Sequence, residues 1–182
     1  RFLNHVVNLN HTRLAQLDGR VKAITAVIEN DEELGPRLKS TVPQGSWAHQ
    51  TIIRPVGNRE FDADFLVLLE EELAWSANPG EYLRQLRAAL KRSKTYQDKV
   101  RKKNRCVRVG YANECHVDVV PSIVLEDGRH VIINYAANCF EQTNPEGFTE
   151  WMKEKDALAQ DNLRRVIRLV KFLRDIKLTF SC

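Results

Sequence analysis

Apolar residues recur at Leu17, Val21, Ile24 and Ile28, at intervals of 4, 3 and 4. That spacing marks one face of a helix and predicts an amphipathic helix over about residues 4–29. Asn30-Asp31 and Gly35-Pro36 punctuate its end, with a short helical or loop segment expected up to Thr41-Val42-Pro43. Gln44-Gly45-Ser46-Trp47-Ala48-His49 reads as a turn entering a short helix, followed by an extended Thr51-Ile52-Ile53. Phe61 to Leu69, dense in apolar and aromatic residues, predicts a central strand. Pro79 then opens a helix that carries Tyr82, Leu83, Leu86 and Leu90.

Beyond a basic stretch, Cys106 to Val109, Cys115 to Val120 and His130 to Ile133 predict three more strands. Turns are expected over Gly110-Tyr111-Ala112-Asn113 and at Asp127-Gly128. Thr143-Asn144-Pro145 starts a helical stretch through Trp151, and Asp161 to about Leu178 forms a strong final helix. Leu163, Val166, Ile167, Val170, Leu173 and Ile176 make its apolar face, with Arg164, Arg168 and Lys171 opposite. The fold class is α/β, a mixed or antiparallel sheet flanked by long helices.

At 182 residues, 43% hydrophobic and 29% charged, the chain suits one domain or one lobe and is too apolar to be disordered. No run approaches the ~20 apolar residues of a membrane span, and the first residues lack a secretory pattern, so a cytoplasmic location without membrane contact is expected. The missing initiator Met and the uncapped stop at Cys182 suggest that both ends are trimmed. Cys106, Cys115, Cys139 and Cys182 form no Cys-x-x-Cys pair, and buried reduced thiols are expected.

Charge changes the picture only locally. Between Lys91 and Arg108 nine basic residues face one acid, Asp98, a local charge of +8 within a net charge of +4. Such a run is either a solvated loop or an electropositive flank for polyphosphate or nucleic acid. Tyr96 is its one aromatic, which argues against a stacking platform for single strands.

In Phe61-Asp62-Ala63-Asp64-Phe65, strand alternation sends Asp62 and Asp64 to one face, about 6.7 Å apart along the backbone. Two carboxylates leaning on one point repel unless a cation sits between them, and magnesium is the oxygen-seeking ion for that place. Asp118, out of phase with Val117 and Val119, offers a third acid. Three such groups can hold two ions ~3.5–4 Å apart, a clamp for both the attacking and the leaving oxygen of a phosphoryl group. His116 shares the face of Asp118 and reads as a rim or core residue. Gly45-Ser46, at a turn before a helix, can receive a phosphate through backbone N–H groups and a hydroxyl, although the dipeptide is also ordinary turn and cap chemistry. It does not match the Gly-x-x-x-x-Gly-Lys-Ser/Thr loop.

Gln44-Gly45-Ser46 with Thr51-Ile52-Ile53-Arg54-Pro55, Glu60-Phe61-Asp62-Ala63-Asp64 and His116-Val117-Asp118-Val119-Val120-Pro121 resembles the polymerase-β-like nucleotidyltransferase superfamily. Within it the chain is most similar to bacterial cyclic-oligonucleotide synthases, the CD-NTases related to cyclic GMP-AMP synthase and oligoadenylate synthase. The resemblance implies a nucleotidyltransferase core over residues 1–182, without the further helical region that members carry. It implies that Gly45 and Ser46 bind the β- and γ-phosphates of the donor. Asp62, Asp64 and Asp118 would hold two magnesium ions, with manganese possible, and Lys171 would contact the triphosphate. ATP or GTP would be joined, with release of pyrophosphate, into a cyclic di- or trinucleotide messenger for antiphage (CBASS) defence. A HORMA-type activator and a messenger-sensing effector are the implied partners. The alternatives are a template-free polymerase or adenylyltransferase making linear 2′–5′ chains or modifying RNA or protein, and a vestigial nucleic-acid-binding module.

Overall fold

The computed structural model describes residues 2–57, 60–112 and 115–177. The helix expected over 4–29 is in two pieces, a π-helical turn at Leu3–Val7 and α1 at His11–Glu29. Asn10 separates them: its side-chain oxygen accepts a hydrogen bond from the Arg13 amide at 2.9 Å, an N-cap that starts a new helix. Leu17, Val21, Ile24 and Ile28 are buried along α1 as their spacing requires.

The strands are β1 (Leu38–Gln44), β2 (Phe61–Leu69), β3 (Val100–Lys102), β4 (Val107–Tyr111), β5 (Cys115–Val124), β6 (His130–Asn134) and β7 (Cys139–Gln142). They form one sheet of order β1-β2-β5-β4-β3, with β6 on β5 and β7 on β6. Among the described residues only β2 and β5 run parallel, so the sheet is mixed. A parallel neighbour needs a crossover. It is supplied by α3 (Leu73–Ser76) and α4 (Gly80–Arg92), then by β3 and β4. Phe61, Ala63 and Phe65 of β2, Val107 and Val109 of β4, and Val117 and Val119 of β5 point to one face. There they pack with Leu17, Ile24 and Ile28 of α1 and Leu83, Leu86 and Leu90 of α4 in a single core. The opposite face is left to the polar residues in between.

Several expectations are corrected. β1 replaces the helix or loop expected before Thr41-Val42-Pro43; only a 3-10 turn, Gly35–Arg37, precedes it. Its Pro43, which donates no hydrogen bond, is tolerated because β1 is the edge strand of that path. Gly110 and Tyr111 close β4 rather than forming a turn, and Asn113 lies outside the described residues. Thr51-Ile52-Ile53 is not a strand; Ile53 makes one bridge, to Asn8. The turn at Asp127-Gly128 is present, with Gly128 at φ 82° and its amide donating to the Leu125 carbonyl. Part of the basic stretch is β3 and β4 rather than loop, and its Tyr96 is buried. α5 (Pro145–Leu158), capped by Asn144, outlasts the expected end at Trp151. Cys106 and Cys115 are buried free thiols, Cys139 is a free thiol but exposed, and Cys182 lies outside the described residues.

The final helix, α6 (Leu163–Lys177), is oriented opposite to what its apolar stripe predicts. Val166, Val170, Leu173 and Ile176 are exposed, and Asp175 is buried. The polar face turns inward because it has fixed partners there. Arg168 donates to the Gln50 carbonyl at 2.6 Å, Lys171 to the Thr51 carbonyl at 3.3 Å, and Arg164 pairs with Asp156 at 3.2 Å.

Candidate functional site

The parallel register sets Asp64 beside Asp118, with Asp62 two residues along the same face beside His116. Neighbouring strands lie about 4.8 Å apart, so the two acids form one rung. On the other flank of β2, Gln44 is the partner of Asp64, which puts Gly45 and Ser46, opening the short helix α2 (Gly45–Ala48), directly next to that carboxylate. Gly45 has φ 62°, and a Cβ there would overlap Oδ2 of Asp64. Only glycine satisfies both conditions, the left-handed backbone and the close approach. The geometry therefore brings Gly45, Ser46, Asp62, Asp64 and Asp118 together.

The three carboxylates differ. Asp62 is exposed and its carboxylate makes no hydrogen bond to a described residue. Asp64 is partly buried; burial, followed by the charges of Asp62 and Asp118, pushes its carboxyl up to about 7 against the pull of Arg108 and Lys171. Asp118 is 7% exposed and receives both arms of Arg108, from Nε and Nη2, each at 2.7 Å. Arg108, counted in the sequence only as part of the basic stretch, is its cross-strand partner on β4. Cys106 lies close enough for burial and the Asp118 charge to push its thiol up to about 12, so it is no nucleophile at neutral pH. His116 faces Glu60 at 3.4 Å and sits on the rim, as expected.

Lys171 reaches the site from α6. It acts electrostatically on Asp64, and its ammonium donates to the carbonyl and, at 3.4 Å, to the hydroxyl of Thr51. Thr51, a buried residue just past α2, has no role in the sequence reading beyond its place in the motif. His49 is also buried, edge-on to Phe148, and burial followed by the charges of Arg164 and Lys171 holds it below the usual imidazole range.

Three oxygen-donor acids on one face, one of them pushed towards its neutral form by burial and then by the charges of the other two, suit a hard divalent cation. The set is not preassembled: among the described residues no three acidic, histidine or cysteine side chains already stand together as a metal cluster, and Arg108 occupies both oxygens of Asp118. A guanidinium is thus the counter-charge of the innermost acid.

The raised Asp64 pKa has a measurable consequence in the absence of divalent cations. Between pH ~4 and ~7 the folded state holds a proton that the unfolded chain has released, so stability falls as pH rises through that window. The loss attributable to Asp64 is roughly 2–4 kcal/mol. Urea titrations in EDTA at a series of pH values should show wild type losing this increment relative to Asp64→Asn. Parallel curves for the two proteins would contradict the shift.

The mixed sheet, with its parallel pair of acid-bearing strands, has the nucleotidyltransferase fold. It superposes on Vibrio cholerae DncV cyclic AMP-GMP synthase with a TM-score of 0.77 at 16% identity, covering 93% of this chain and 62% of that one. Escherichia coli MS115-1 CdnC, solved with ATP, gives 0.70 at 24% over 97% and 56%. Bradyrhizobium diazoefficiens CdnG, solved with GTP, gives 0.67 at 26% over 80% and 43%. Residues 1–156 match the Second Messenger Oligonucleotide or Dinucleotide Synthetase domain, and the chain belongs to that family. A curated relative, the c-di-GMP synthase of Roseivirga ehrenbergii, is 28% identical over 147 residues, 79% of this chain. The chain spans about two-fifths of that relative, 39% of its length. No helix of the described residues is long and apolar enough to cross a membrane.

Proposed function

We propose that this chain is the catalytic part of a metal-dependent nucleotidyltransferase that joins ATP or GTP into a cyclic di- or trinucleotide messenger in antiphage defence. The observation that carries this reading is the rung of Asp64 and Asp118 on parallel strands, with Asp62 on the same face and Gly45 against Asp64. Asp62, Asp64 and Asp118 would hold magnesium or manganese, which when bound supplies charge neutralisation at the reacting phosphate and acidifies the attacking hydroxyl.

The chain's own groups have separable tasks. Gly45, with no side chain, leaves the backbone beside Asp64 open to the triphosphate, and the Ser46 hydroxyl is the adjacent donor for its β- and γ-oxygens. Lys171, steadied by Thr51, adds positive charge on the triphosphate side. Arg108 holds both oxygens of Asp118 in place at the cleft until a cation competes for them. The ribose hydroxyl oxygen of the acceptor bonds to the α-phosphorus of the donor as the bond to the bridging pyrophosphate oxygen breaks. A second transfer within the linear product closes the ring.

The nucleotides in CdnG and CdnC support ATP and GTP as substrates, and the CdnC:HORMA-deltaN complex supports a HORMA-type activator. An effector that senses the product completes the proposed set of partners. Incubating the full-length protein with labelled ATP and GTP, magnesium and its partners should give a phosphatase-resistant product. Labelled chains whose terminal phosphates are removed by phosphatase would instead identify a linear polymerase, and absence of any product would overturn the reading.

A further inference from the structure

Of the basic residues between Lys91 and Arg108, the carboxylate face uses Arg108. Others gather on the opposite side of the sheet. α4 buries Leu83, Leu86 and Leu90 against the core face, whereas Asp62, Asp64 and Asp118 project from the other. Arg84, Arg87 and Lys91 follow one another at intervals of 3 and 4, a single stripe along α4. Lys102 is in register with the buried Val107 and therefore faces the α4 side. With Arg92 and Tyr135 these side chains line a cavity of about 540 Å³, to which no acid contributes among the described residues.

Acids hold part of this set from outside the cavity. Glu81 fixes Arg84 at 2.6 Å, and Asp31 takes both arms of Arg92 at 2.7 Å. Lys102 sits 3.4 Å from the centre of the Tyr135 ring, and Arg84 donates to the hydroxyl of the same tyrosine at 3.4 Å. Lys102 and Arg84 together hold that hydroxyl below the usual tyrosine range. Arg87 and Lys91 have no ion pair among the described residues, and Nε of Arg87 is buried without a hydrogen-bond partner. A donor sequestered in this way is costly unless something accepts from it.

We propose that this cavity binds closely spaced phosphates, presented by a free oligophosphate or by a nucleic-acid backbone, at a site separate from the carboxylate cleft. Guanidinium forks match phosphate oxygens in pairs, and a concave wall of one charge sign concentrates anions of high charge density over singly charged ones. The volume suits a group the size of a triphosphate. The inference is independent of nucleotidyl transfer, because none of its residues belongs to the carboxylate face.

Titration calorimetry with tripolyphosphate, at pH 8 in EDTA and about 50 mM salt, favours this site, since without a divalent cation Asp62 and Asp64 repel the probe in the cleft. One-to-one binding is expected. Arg87→Gln with Lys91→Gln should weaken it at least about tenfold, and Asp62→Asn should leave it within about twofold. Lys91→Gln alone, at an exposed helix position, should weaken it about threefold and guards against a folding artefact. Competition with a short RNA duplex separates the sources: displacement of the probe identifies a nucleic-acid backbone, and its retention a free oligophosphate. Absence of saturable binding, indifference to both α4 substitutions, or loss on Asp62→Asn would overturn the proposal.

Discussion

Asp62→Asn, Asp64→Asn and Asp118→Asn should each abolish nucleotide transfer by the full-length protein, by about 10³-fold or more, while their stabilities move in different directions. The uniform loss follows from the proposed shared work: each acid would supply negative charge to one cation-binding set, and removing a member would forfeit several kcal/mol of transition-state stabilisation. The divergent stabilities follow from their surroundings. Asp62 is exposed and its carboxylate has no hydrogen-bond partner among the described residues, so its amide should leave stability within about 0.5 kcal/mol. Asp64→Asn removes a charge that burial and two neighbouring acids oppose, and should stabilise the cation-free protein at pH 8. Asp118→Asn leaves Arg108 facing a neutral group in a largely buried place and should cost about 1–3 kcal/mol. Labelled-product assays and urea titrations in EDTA read the two effects separately. An active Asp118→Asn protein would remove Asp118 from the cation set whatever its stability.

The carboxylate face was legible because a central strand imposes a strict period of two. Phe61, Ala63 and Phe65 had to share the buried face, which left Asp62 and Asp64 no other side, and the observed strand keeps those bounds. Asp118 followed from the same alternation. That the two strands are adjacent and parallel lay beyond periodicity, since it depends on the crossover through α4 and on β4. Arg108 carried a signal that went unused: Val107-Arg108-Val109 alternates like Val117-Asp118-Val119, and a hairpin between them pairs the two polar residues. β1 was obscured by Lys39, Ser40 and Pro43, residues tolerated on an edge strand that give it little apolar pattern. The break before α1 carried one local signal, Asn10, a cap residue by type. Orientation of α6 was outside reach altogether. Amphipathicity defines an apolar face but not which side meets the protein, and the carbonyls of Gln50 and Thr51 that draw Arg168 and Lys171 inward are backbone groups common to every residue.

Arg108→Met should destabilise the protein by about 2–4 kcal/mol at pH 8 in EDTA and recover much of that loss when magnesium is added. Asp118 is 7% exposed and lies on one rung with Asp64, so without the guanidinium two neighbouring carboxylates share a poorly solvated face. Breaking a buried pair by removing one partner costs about 3–5 kcal/mol, and the figure is lowered here because the Arg108 side chain is itself 31% exposed. On the proposed assignment a divalent cation and Arg108 would bid for the same two oxygens. The folded variant should therefore take up magnesium more tightly than wild type, and ligand binding to the folded state adds stability in proportion to the logarithm of its concentration over Kd. Urea midpoints across a magnesium series should accordingly begin to rise at lower magnesium for Arg108→Met than for wild type. A rise beginning at the same magnesium concentration in both proteins would mean that Arg108 stays on Asp118 while the cation binds, leaving Asp62 and Asp64 as the acids that hold it.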